Sequence, residues 1–222
     1  MIVSRTTPVR SRGRSVRGLL SIAIGLWLAG PGYSLAAEVI SSFDSDVRLA
    51  KDGELTVTET VRVQAEGRDI RHGIYRDFPL TFKDAGGAIR EVDFSLVSVE
   101  RDGKLEEYST TRERGIIRIY AGSKNTSVPR GEHTYVFRYR TGRQVRWFDG
   151  KPELNWNVTS NFWRFPIKAA SYRLQFVAGG EPPRWTAYTG RLGERGKDWR
   201  GSLGAGGGGR RRRGLVKPGR QR

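Results

Sequence analysis

Apolar and polar residues alternate most clearly over Leu55 to Val63. Leu55, Val57, Val61 and Val63 fall on one side, and Thr56, Thr58, Thr60 and Arg62 on the other. A period of two sends successive side chains to opposite faces, so this stretch predicts a β-strand with one buried face. Glu59 interrupts the apolar side. A carboxylate there is costly unless paired, which predicts a buried or half-buried partner, with Arg76 the first candidate. The alternation recurs over His133 to Arg140, with His133, Tyr135, Phe137 and Tyr139 on one face. It recurs again over Lys168 to Val177, where Ala170, Tyr172, Leu174 and Phe176 alternate with Ser171, Arg173 and Gln175.

Between these runs glycine falls at intervals of about ten residues, the punctuation of an all-β sandwich or barrel. Lys51-Asp52-Gly53 separates Ile40 to Leu49 from Glu54 to Gln64, and Arg101-Asp102-Gly103 separates Val92 to Val99 from Lys104 to Thr110. Asp-Gly supplies the positive φ that tight hairpins need, so two hairpins are expected. The predicted fold is an antiparallel β-sandwich, immunoglobulin-like or related, occupying residues 38–202.

The two ends read differently. Five arginines lead into an apolar run from Leu19 to Ala29, followed by Pro31, Gly32 and the small residues Ser34-Leu35-Ala36-Ala37. That order is a secretory signal peptide over residues 1–37, with an uncleaved N-terminal anchor as the alternative. The run falls short of the roughly 20 residues of a membrane span. Beyond Gly179 come Pro182-Pro183, then a run of glycines and Arg210 to Arg213. Such composition buries too little surface to offset backbone ordering, so residues 203–222 are expected to form a disordered basic tail.

Charge supports this division. The formal net charge is +17. Residues 1–37 hold five Arg and no acid, and residues 180–222 hold twelve Lys or Arg against three acids. The body, 38–179, carries twenty-three basic and twenty acidic residues, unlike a surface built to neutralise phosphates. Nucleic acid is not an expected partner. With no cysteine in the chain, disulfides, thiolate catalysis and cysteine-ligated metals are excluded.

Candidate chemistry is sparse. The densest stretch, Glu153 to Ile167, crowds Trp156, Phe162, Trp163 and Phe165 among three asparagines, which suits a strand, a turn and a segment packed on a core. Trp147, Phe148, Trp156, Trp163 and Arg164 interleave rings with positive charge, as a stacking surface for glycans or extended ligands does. Trp156 and Trp163 read first as core, whereas Arg and Asp-Gly flanks place Trp147-Phe148 on a loop. His72, Arg76, Asp77 and Pro79 read as a structured loop in which Arg76 pairs with Asp77 or Glu59 and Pro79 fixes the exit. The spacing of His72 and Asp77 fits no metal motif, and no nucleophile elbow or Walker loop occurs. No cofactor, metal or catalytic residue is therefore expected.

Three patches together resemble one family. They are Val57-Thr58-Glu59-Thr60 following Lys51-Asp52-Gly53, then His72-Gly73-Ile74-Tyr75-Arg76-Asp77-Phe78-Pro79-Leu80, then Leu154-Asn155-Trp156-Asn157-Val158-Thr159-Ser160-Asn161-Phe162-Trp163. Their order and spacing are similar to the predicted bacterial membrane proteins called domain of unknown function 2207, across about Val39 to Trp199. The resemblance implies an exported β domain ahead of transmembrane helices, and no activity. Against that pattern the Gly and Arg tail departs after Gly201, and a shifted or truncated reading frame near Gly204 is the expectation for it. The expected function is a non-enzymatic ectodomain, periplasmic or on the outer face of the cytoplasmic membrane, that binds or assembles with a membrane-associated or envelope protein partner. Its link to the membrane is expected through downstream helices or the retained N-terminal segment. The alternative is an envelope glycan or peptide hydrolase using Glu59, Asp77 and His72.

Overall fold

The alternation around Glu59 becomes strand β2 (Leu55–Ala65), and β1 (Val39–Leu49) folds back on it through the turn at Lys51-Asp52-Gly53. The computed structural model describes residues 37–84, 86–148, 150–160, 162–176, 186–189, 194–204 and 211–216, the side chains of Phe148, 202–204 and 211–216 excepted. The expected leader lies outside the described residues, apart from Ala37. Among the described residues every element is a strand, and no helix is long and apolar enough to cross a membrane. The chain is all-β.

The remaining strands of the large sheet are β6 (Asp93–Arg101), β7 (Lys104–Leu105), β10 (Gly131–Gly142), β13 (Ala170–Phe176), β14 (Trp199–Gly204) and β15 (Arg211–Val216). Its order is β14-β15-β13-β1-β2-β10-β6-β7. A second sheet runs β3 (Gly73–Pro79), β9 (Ile116–Gly122), β8 (Tyr108–Glu113). Two hairpins stand apart, β4 (Thr81–Lys83) with β5 (Ile89–Glu91) and β11 (Val145–Phe148) with β12 (Lys151–Leu154).

Apolar side chains from both sheets meet in the core. One cluster joins Phe43, Val61 and Phe137 of the large sheet with Ile74 and Ile119 of the small one. Another joins Val47, Leu55, Val57 and Tyr139 with Phe78 and Ile117. Both strands of the small sheet's core pair therefore turn one face inward. At the start of that pair Gly73 and Gly122 lie opposite each other with φ of 148° and 138°. A Cβ on either would lie 2.0 Å from the other strand's backbone oxygen, so only glycine permits the approach.

Two expectations need correction. The β1–β13 pair is parallel, in register from Phe43 with Ala170 to Leu49 with Phe176, so the large sheet is mixed. Side-chain alternation is the same for either strand direction, and the connection through residues 155–169 is long enough for a crossover. The run Lys104 to Thr110 divides between sheets. The Glu106 amide still donates to Val99 of β6, but Glu107 accepts from Gly122 of β9, and the chain changes layers there. At the edge of the large sheet, β14 and β15 add two strands beside β13, and residues 205–210 and 217–222 of the expected tail lie outside the described residues. Ladder hydrogen bonds use backbone groups that every residue but proline carries, so poverty in apolar side chains does not prevent such pairing.

Candidate functional site

Strand β3 presents Arg76 to the core and Asp77 to the outer face, because successive residues alternate. Arg76 meets Glu59 of β2 in a two-pronged pair, Nε to Oε2 and Nη2 to Oε1 both at 2.6 Å. Glu59 is 0% exposed, and its Oε1 also accepts from the Tyr139 hydroxyl at 2.7 Å. The third guanidinium nitrogen donates to the Asp77 carbonyl. The guanidinium lies 5.9 Å from the ring centres of both Phe43 and Trp163. Burial alone would lower the Arg76 pKa, but the adjoining Glu59 carboxylate overrides it and the pKa is raised. Burial, with the Glu59 charge beside it, pushes the Tyr139 phenol well above its usual range.

The aromatic and asparagine-rich segment closes this pocket. Asn157 Oδ1 accepts from the Ser160 amide at 3.0 Å, turning the chain, and the Trp163 indole donates to the Thr159 carbonyl at 2.7 Å. Trp163 then packs edge-on against Phe43 at 5.9 Å. At 7% exposure its ring is packing surface, and Trp156 packs on the second core cluster with Phe78. Trp147 stands 70% exposed on β11, a hairpin strand where the flanks suggest a loop. Arg164 is exposed and reaches Asp69 at 3.5 Å. The side chain of Phe148 lies outside the described residues.

The residues nominated for hydrolysis do not assemble into one open site. Glu59 is sealed in the core, and Asp77 is held by Arg118 of β9, Nε to Oδ1 at 2.7 Å and Nη2 to Oδ2 at 2.6 Å. His72 is half-buried, and its Nδ1 donates to the Thr126 carbonyl at 3.1 Å. Pro79 ends β3 opposite Ile116. Among the described residues no group of three or more His, Asp or Glu comes together to hold a metal ion.

The outer face of the small sheet was not legible in the sequence. Tyr75 and Tyr120, directly opposite each other on β3 and β9, bring their ring centres to 4.7 Å. The Arg118 guanidinium lies 5.4 Å from the Tyr75 ring centre while it holds Asp77. Hydrogen bonding to Asp77 raises the Arg118 pKa. Tyr75 remains 50% exposed, so two rings tilted 34° to each other and a guanidinium form an aromatic platform beside the polar residues of β8. Glu38 also escaped sequence reasoning. Its carboxylate accepts the backbone amides of Glu66 at 2.9 Å, Arg68 at 3.1 Å, Asp69 at 2.7 Å and Ile70 at 3.1 Å. Burial opposes its charge, but the four amides hold its pKa below the usual value.

The fold and this arrangement define an all-β domain with a sealed polar core and open aromatic surfaces. The chain belongs to the family of predicted membrane proteins whose N-terminal domain is DUF2207, which it matches over residues 39–201. It is 30% identical over 186 residues to the uncharacterized protein YciQ of Escherichia coli (strain K12), covering 80% of this chain and 30% of YciQ. The chain thus spans under a third of that relative's length.

Among solved structures it is similar to yeast LTA4 hydrolase in complex with bestatin, with a TM-score of 0.48, 8% identity, and 82% of this chain and 29% of that one covered. It is also similar to a putative protease from Parabacteroides distasonis ATCC 8503, with a TM-score of 0.45, 7% identity, and coverage of 83% and 36%. Likenesses at this level carry no argument about activity.

Proposed function

We propose that residues 38–202 are the exported ectodomain of a membrane protein and bind an envelope partner without catalysing a reaction. The observation that carries this reading is the Tyr75, Tyr120 and Arg118 platform. Aromatic rings and a planar guanidinium offer a partner large contact area with few rotatable bonds. The carboxylates nominated for hydrolysis are meanwhile committed to internal pairs, Glu59 with Arg76 and Asp77 with Arg118. The arginine-led leader of the sequence and the family of predicted membrane proteins support an extracytoplasmic address.

Two measurements test the reading. Alkaline phosphatase fused after Ser202 becomes active only if the domain is exported, and a fusion without activity in intact cells would sink the address. A photo-crosslinking residue at Ser109, opposite Tyr120 in the register, is expected to trap a discrete envelope protein in wild-type cells. The adduct is expected to disappear in a Tyr75→Ala, Tyr120→Ala background. An adduct unchanged by the double substitution would remove the platform from the proposal.

A further inference from the structure

Strand β8 forms one edge of the small sheet, and all six of its side chains are exposed. On one of its faces burial would be the rule. Tyr108, Thr110 and Arg112 lie directly opposite Ala121, Ile119 and Ile117 of β9 and so share their face. Those three β9 residues are buried in the core, whereas Tyr108 is 45% exposed. Strand β8 therefore overhangs the layer that covers its neighbour.

The turn beside it tells which main-chain groups are left over. Arg114 and Gly115, with φ of 50° and 73°, join Glu113 to Ile116 as a two-residue hairpin. The residues flanking such a turn exchange both hydrogen bonds, and bonding then alternates along an antiparallel pair. Glu113, Thr111 and Ser109 thus bond inward to β9, as Glu107 does in accepting from the Gly122 amide at 2.7 Å. The amides and carbonyls of Tyr108, Thr110 and Arg112 point away from β9, and among the described residues nothing takes them. The opposite edge of the sheet is closed, since the Asp77 carbonyl of β3 accepts from the Ser160 hydroxyl at 3.4 Å and from Arg76. Strand β8 carries no proline, lysine or bulge, the devices that blunt an exposed edge.

An extended strand is the occupant that fits such an edge, and the side chains of β8 suit a second copy of itself. A single antiparallel register brings all three open residues of both copies into bonded pairs, the one centred on Thr110. It sets Thr110 opposite Thr110, Tyr108 opposite Arg112 and Ser109 opposite Thr111. Paired hydroxyls, and an arginine beside an aromatic ring, are favourable cross-strand neighbours. Glu107 falls opposite Glu113 at the two ends of the pairing, where Arg114 adjoins Glu113 at 3.5 Å. An isologous contact of this kind closes on itself as a dimer.

We propose that two copies of this chain pair through β8, antiparallel and centred on Thr110, so that β3-β9-β8 and its copy form one continuous sheet. The two-fold axis stands perpendicular to that sheet and leaves both Tyr75–Tyr120 platforms on the same face. The proposal goes beyond the platform reading and does not depend on it.

The chain has no cysteine, so an introduced one reports a single position. Bonded antiparallel pairs hold their Cα atoms about 5.5 Å apart, within the range of a disulfide. Thr110→Cys in the purified full chain is therefore expected to link to itself on mild oxidation. Glu113→Cys, exposed on the same strand but far from the axis, is expected not to. Chains with Tyr108→Cys and chains with Arg112→Cys are expected to link when mixed, where neither links alone. Sedimentation should give a mass of two chains for the wild type and of one for Thr110→Pro, which removes an outward amide and leaves the ladder to β9 intact. Arg112→Glu, which keeps every main-chain group, should shift the dimer toward monomer.

A single-chain mass in the wild type overturns the proposal. A dimer that links through Glu113→Cys as readily as through Thr110→Cys also overturns it, and so does one indifferent to both Thr110→Pro and Arg112→Glu. A self-adduct from the crosslinker at Ser109 belongs to this edge, so the partner of the platform is read from adducts of other mass. An intact dimer with inactive phosphatase fusions, or with no other adduct, would refute the ectodomain reading alone.

Discussion

Arg76 and Asp77 are consecutive on β3, and each makes a two-pronged ion pair, but on opposite faces of the same sheet. The Arg76–Glu59 pair is enclosed between two layers, with side-chain exposures of 3% and 0%. The Arg118–Asp77 pair lies on the outer face, where Arg118 is 56% exposed and covers an Asp77 side chain that is only 5% exposed. Geometry is nearly the same in both, and the surroundings differ. An enclosed charge that loses its partner cannot turn to water, whereas an exposed one can. The contrast teaches that the inner pair ties β3 to β2 across the two sheets, while the outer pair joins neighbouring strands β9 and β3 on one surface.

The strongest way to break that contrast is Glu59→Gln. It leaves the Arg76 guanidinium enclosed without its counter-charge and is expected to cost about 3–5 kcal/mol, measured by urea unfolding. Replacing both partners at once, Glu59→Leu with Arg76→Leu, is expected to recover most of that loss. A double variant as unstable as Glu59→Gln would show that the pair does more than satisfy itself.

Tyr139→Phe is next. It removes one hydrogen bond to a charged acceptor, with an expected loss of about 1.5–3 kcal/mol. The same phenol gives a pH signature. Its folded pKa lies above its ordinary value of 10.0, so the folded state keeps a proton that the unfolded state releases. Stability is therefore expected to fall as pH rises past about 10 and to fall less in Tyr139→Phe.

Glu38 extends the comparison to acid. Its folded pKa lies below its ordinary value of 4.5, so its contribution is present above that value and is lost as pH falls below it through the folded pKa. Glu38→Gln is expected to lower stability by about 1–2 kcal/mol at neutral pH through poorer acceptance of four amides, and to flatten the acid limb of the pH profile. A variant with the wild-type acid limb would mean that the carboxylate is not the titrating group.

Arg118→Ala is the smallest effect, under about 1 kcal/mol, because Arg118 is 56% exposed and its removal opens the otherwise covered Asp77 carboxylate to water. It is nonetheless expected to weaken any adduct trapped at Ser109. Stability falling as far as in Glu59→Gln would erase the distinction between the two faces.

Much of the fold was legible where alternation was strict. The strands β2 and β10, their buried faces, both Asp-Gly hairpins and the need for a partner at Glu59 follow from a period of two and from the cost of burying charge. Arg76, the first candidate, is that partner, but the segment around it is strand β3 and not the structured loop expected. The candidate surface was less legible. Trp147 and Trp163 are the same residue type with arginine close by, yet one stands in solvent and the other closes the core. The Arg and Asp-Gly flanks of Trp147 already set it apart from Trp163, but how far each ring is covered depends on what the rest of the chain places above it.

The chain's own residues determined an all-β body, the likeness to one family, the near balance of charge in that body and the demand that Glu59 be paired. Tertiary structure alone decided that β13 runs parallel to β1, that the chain changes sheets at Glu106 and Glu107, that Tyr75, Tyr120 and Arg118 share a face, and that Trp147 and Ile89 stand in solvent. The first group arises from periodicity and the solvation of single side chains, which act over a few neighbouring positions. The second arises from contacts between segments far apart in sequence, whose partners are chosen by the packing of the whole domain.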